Sequence, residues 1–72
     1  MYTQQTLEYA CRTVLGPQVY DSLIELDHPI TMIHGLAVQK AFIEELHGDD
    51  VEILRTAMID LTKKGVYRYS IN

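Results

Sequence analysis

The sequence predicts a mainly α-helical protein: a compact bundle of about four helices with a short C-terminal β-strand or extended tail, residues 1–72 forming a single helical domain. Three observations predict it. Apolar residues recur at i, i+3, i+4 and i+7 in successive blocks, the period of a helix that buries one face. The blocks are separated by helix stops at Gly16-Pro17, Asp27-His28-Pro29 and His47-Gly48. After Gly65 the period changes to two, with Tyr67, Tyr69 and Ile71 on one side and Val66, Arg68 and Ser70 on the other.

The first helix is expected over Gln4 to Leu15. Thr3 can cap it by accepting from an early backbone N–H, and Tyr2 can pack on Leu7 as a hydrophobic staple. Leu7, Ala10, Cys11, Val14 and Leu15 make one stripe. Gly16 stops this helix and Pro17 opens a second at the position where a missing N–H costs nothing. The inner face of that second helix is expected to be Val19, Tyr20, Leu23, Ile24 and Leu26.

A third helix is expected from a Thr31 cap to about Leu46, because the residue before Pro29 is pushed away from helical geometry. On a helical wheel its apolar residues form two arcs: Met32, Leu36, Phe42, Ile43 and Leu46 on one, Ile33, Ala37 and Ala41 on the other, with Val38 between. Such a helix is either the central helix of the domain or one face of an oligomer, and we expect the central role. The alanine arc would let another helix approach closely. The fourth helix is expected to begin at Asp49, with Glu52 completing a capping-box-like start, and to bury Val51, Ile53, Leu54, Ala57, Met58 and Leu61. Lys63 and Lys64 suit the negative end of its dipole, and Gly65 supplies a left-handed stop. The alternating tail from Val66 to Ile71 then needs a partner: an extended piece such as Pro29 to Met32, a second copy across a dimer, or the flank of the helices.

A chain of 72 residues hides only about 60% of its unfolded surface on folding, so the core must be economical. With 47% hydrophobic residues, disorder is excluded, and the apolar side chains either all serve the compact core or leave some area for a partner. Cys11 is alone and lies on the inward stripe of the first helix, so it reads as a buried, inert thiol rather than a nucleophile. His28, His34 and His47 lack the spacing of a zinc set with each other or with Asp27, Asp49 and Asp50, and no metal or cofactor is expected. There is no glycine-rich phosphate loop and no nucleophile motif, and catalysis is not expected. The N-terminus lacks a basic region followed by an apolar run, and no stretch is long enough to cross a bilayer; a cytoplasmic location is the expectation.

The net charge is −4, unevenly spread. Residues 1–48 hold Glu8, Asp21, Glu25, Asp27, Glu44 and Glu45 against Arg12 and Lys40, whereas residues 49–72 hold four acids against Arg55, Lys63, Lys64 and Arg68. A protein that binds DNA chiefly through its phosphates needs a basic excess, and this chain has none.

The outer face of the fourth helix carries Glu52, Arg55, Thr56, Ile59, Asp60, Thr62 and Lys63. Ile59 stands apart there. Scattered exposed apolar residues are ordinary; the sharper reading makes Ile59 an anchor ringed by Glu52, Arg55, Thr56 and Lys63 on a protein-binding patch. Tyr9, Tyr67 and Tyr69 are further contact candidates, because tyrosine offers a large area at low entropic cost.

The run from Ala41 through Gly48 and Asp49 to Lys64-Gly65-Val66-Tyr67-Arg68-Tyr69 resembles the helix-turn-helix core of the winged-helix superfamily, with Asp49 to Lys64 in the place of the recognition helix. The resemblance implies DNA contacts at Arg55, Thr56 and Lys63, with Arg68 in the wing. Glu52 and Asp60 on the same face would repel phosphates. The expected function is therefore non-enzymatic binding of another protein, as a regulator, adaptor or inhibitor, in a style that suits a phage or mobile-element accessory protein. The alternatives are a dimeric DNA-binding regulator acting through the fourth helix and a structural homo-oligomer joined through the third.

Overall fold

A computed structural model describes residues 2–67, which form four helices in the order α1 (Gln4–Leu15), α2 (Pro17–Glu25), α3 (Ile30–Ile43) and α4 (Asp49–Lys63), with no strand among the described residues. The radius of gyration is 11.4 Å, close to the ~11 Å of a well-packed chain this long. Arg68 and Tyr69, and with them most of the expected strand, lie outside the described residues.

Helix α1 follows its expected bounds, and Leu7, Ala10, Cys11, Val14 and Leu15 are all buried. Thr3 accepts from the Thr6 backbone at 3.1 Å while the Thr6 hydroxyl accepts from the Thr3 N–H at 2.8 Å, so a threonine completes the capping box. Gly16 separates α1 from α2, and Pro17 occupies the first turn of α2.

Two expectations need correction. The central position belongs to α1, which packs against α2, α3 and α4; α3 packs chiefly against α1 and α4. Its contact flank is the alanine arc, Ile33, Ala37 and Ala41 with His34, because small residues let helix backbones approach. The expected inner face of α2 is also only partly buried: Tyr20 and Leu23 reach the core, whereas Val19, Ile24 and Leu26 are exposed. A nine-residue helix whose main neighbour is α1 cannot cover an arc that wide.

Helix ends account for the other differences. Pro29 caps α3, two residues ahead of the expected Thr31 cap, and the helix stops at Ile43 rather than Leu46. Glu45 adopts φ 52°, and the Leu46 N–H reaches back to the Ala41 carbonyl at 2.9 Å. This Schellman turn swings Leu46 onto the core. The same turn closes α2 through Asp27 at φ 62°, with the His28 N–H on Leu23. At the start of α4 the cap is Gly48, at φ 130°, and no side chain caps the helix; Asp49, Asp50 and Glu52 lie in its first turn, where the dipole favours acids. Gly65, at φ 75°, terminates α4 with Val66 N–H on Leu61. Val66 and Tyr67 thus belong to a turn, and Pro29 to Met32 to the start of α3, so these residues do not pair as strands.

Candidate interaction surfaces

The core joins α1, α3 and α4, and one polar cluster sits inside it. His34 is fully buried, with Nε2 2.9 Å from the Leu54 carbonyl and Nδ1 3.3 Å from the Tyr67 hydroxyl. A carbonyl only accepts, so Nε2 carries the proton and Nδ1 accepts from Tyr67. The two rings meet edge to face, 5.3 Å between centroids. Burial holds the His34 pKa below its usual value, opposed by the hydrogen bond to Leu54. Tyr67, expected as a contact residue for its large side-chain area, is instead buried; the turn after Gly65 carries it inward over α3, where its ring and hydroxyl are engaged. This cluster had no signal in the sequence beyond a histidine on an otherwise apolar arc.

The histidines and acids considered as metal ligands are dispersed: His34 is in the core, His28 follows α2 and His47 precedes α4. Among the described residues no three His, Cys, Asp or Glu side chains come together in a metal-binding group. Cys11 is fully buried, and burial together with nearby Glu8 pushes its thiol up to about 12, leaving little thiolate at neutral pH.

The outer face of α4 stands as a stripe. Glu52, Arg55, Thr56, Ile59 and Lys63 are all exposed, while Leu54 faces fully inward. At one edge of the stripe the Tyr2 hydroxyl donates to Asp60 Oδ2 at 2.7 Å, and the Lys64 ammonium lies 3.1 Å from the same oxygen. The hydrogen bond to Tyr2 and the lysines hold the Asp60 pKa down, and the same bond raises Tyr2 to about 12. Asp60 thus ties the start of the chain to the end of α4. Tyr9, on α1, is 65% exposed.

A second surface is larger and more apolar, and the sequence reading did not single it out. Between α2 and α3 lies an open groove of about 350 Å³ lined by Leu15, Val19, Leu36, Gln39, Lys40, Ile43 and Glu44. Val19 is 50% exposed, Ile43 68% and Phe42, the residue next to it, 75%. Met32 extends the α3 flank one turn before Leu36 and is also exposed. Two sequence features could have marked it: the second apolar arc of α3, and the acids around it. Residues 17–46 hold Asp21, Glu25, Asp27, Glu44 and Glu45 against Lys40, a net of −4, which is the net charge of the whole chain.

No protein-family model, curated protein or solved structure matches this chain. Among the described residues no helix is long and apolar enough to cross a membrane.

Proposed function

We propose that this chain is a small non-enzymatic module that acts by binding another protein, as a regulator, adaptor or inhibitor. One observation carries the reading: the outer flank of α3, with Val19 of α2, leaves Met32, Leu36, Phe42 and Ile43 in solvent. Phe42 and Ile43 are the most open of these, and Val19, Leu36 and Ile43 line one groove. A contiguous exposed apolar patch on a monomer is frequently a binding site. The α4 stripe around Ile59 is the secondary surface, one isoleucine among charged residues.

A DNA-binding reading draws on Arg55 and Lys63, both exposed on the α4 stripe, but Glu52 lies on the same stripe. The test is capture from a native cell extract, with and without nuclease. On the protein-binding reading a protein partner is retained after nuclease treatment and lost with Ile43→Asp or, if the α4 stripe is used, with Ile59→Asp. Loss on nuclease treatment, and equally with Arg55→Ala plus Lys63→Ala, would replace it with the DNA reading.

A further inference from the structure

We propose that the groove between α2 and α3 receives an amphipathic helix of another protein whose apolar stripe is flanked by lysine and arginine. This rests on the protein-binding reading above and names the chemistry of the partner. Two independent features point to it, one to a helix and one to its charge.

The first is spacing. Met32, Leu36, Gln39 and Ile43 follow one another at intervals of four, three and four along α3, and all four are exposed. That interval keeps a row of side chains facing a second helix that crosses at a shallow angle. Leu36, Gln39 and Ile43 line the groove together with Val19 from α2, so an incoming helix meets apolar walls on two sides. Gln39 places a donor and an acceptor in the middle of the row, able to meet a polar side chain of the partner.

The second is electrostatic. Glu44 and Lys40 both line the groove, the exposed Glu45 follows Glu44, and the exposed Glu25 and Asp27 lie at the end of α2 in the same acidic segment. Asp21 is held 3.5 Å from Arg12. Lys40 is the one cation of residues 17–46. A second copy of this chain would bring an identical segment of charge −4 against this one, which disfavours pairing of like with like. A lysine- or arginine-flanked helix meets the same acidic segment with opposite charge, gaining both association rate and selectivity.

The experiment titrates the full chain with fluorescent helical peptides of about 20 residues that share one leucine stripe and differ only in flanking lysine or glutamate. A third peptide keeps the lysines and scrambles the leucine positions. The lysine-flanked peptide is expected to bind about tenfold more tightly than the glutamate-flanked one at ~50 mM salt, with the difference shrinking at ~300 mM. The scrambled peptide should not bind. Ile43→Asp, a change at an exposed site, should weaken binding about tenfold, and Glu44→Lys with Glu45→Lys should reverse the preference between flanks. Equal affinity for both flanks overturns the charge assignment and leaves the protein-binding reading standing. Binding by the scrambled peptide shows charge attraction without a groove and overturns the proposal. If neither stripe peptide binds and light scattering shows a dimer that Ile43→Asp dissociates, a second copy covers the groove; the proposal fails, and the homo-oligomer reading replaces that of a module for other proteins.

Discussion

Helix α3 has two apolar flanks with opposite fates. Ile33, His34, Ala37 and Ala41 are buried against α1 and α4, whereas Met32, Leu36, Phe42 and Ile43, which are mostly larger, are left exposed. Hydrophobicity alone would have chosen the other flank. What decides is how closely a neighbouring helix can come: alanines lower the surface of the helix so that backbones pack tightly, and His34 fits among them because both ring nitrogens are satisfied. The outer flank presents bulk that no element among the described residues approaches closely enough to cover. In a domain this small, apolar surface unused by the fold becomes the material for recognition.

The sharpest way to break that contrast is to truncate one isoleucine on each flank. Ile33→Ala should lower stability by about 2–5 kcal/mol, since it empties a fully enclosed site. Ile43→Ala on the outer flank should cost about 0.5 kcal/mol or less. Chemical denaturation of both variants measures the gap, and similar losses would mean that the outer flank is covered in solution.

A second way uses pH, because only the inner flank carries a titratable side chain locked in place. His34 is neutral when folded, its pKa held below the usual 6.5 by burial. Below pH 6.5 the unfolded chain therefore takes up a proton that the folded one refuses. Its stabilising contribution is complete above pH 6.5 and is lost as the pH falls toward the folded-state value, with a slope of at most about 1.4 kcal/mol per pH unit for one proton. Denaturation curves between pH 7 and pH 5 should show this decline in the wild type and a much flatter profile in His34→Gln.

Smaller effects sharpen the picture at its edges. Tyr67→Phe keeps the ring against His34 and deletes the hydroxyl that donates to Nδ1, for a loss of about 1 kcal/mol in thermal or chemical unfolding. If stability is unchanged, that hydroxyl does not help to close the inner flank. Glu45→Gly relieves a non-glycine residue at φ 52° in the turn that brings Leu46 home, and should raise stability by about 0.5–1 kcal/mol. A decrease would show that the Glu45 side chain supports the turn.

The candidate surfaces were unevenly legible. The α4 stripe could be read directly, since a helix with Val51, Leu54 and Ala57 inward must turn Arg55, Thr56, Ile59 and Lys63 outward. Tyr67 could not, because a period of two places a residue on a side without saying what that side faces, and the turn after Gly65 carried it into the core. The α2–α3 groove escaped for a related reason. Val19, Leu36 and Ile43 each look like core residues on their own wheels, and they make a surface because no third helix among the described residues lies over them.

Periodicity and stops in the chain were enough to determine that there are four helices, where α1 lies, which stripes of α1 and α4 turn inward, and that Cys11 is enclosed. These follow from local geometry: 3.6 residues per turn, a proline without an N–H, a glycine free to adopt positive φ. The tertiary structure alone decided which flank of α3 is used, that α1 rather than α3 sits among the other helices, that Glu45 rather than His47-Gly48 ends α3, and that His34 and Tyr67 meet across 33 positions. Those outcomes depend on the distance between backbones far apart in the chain, and a wheel drawn for one helix does not contain that distance.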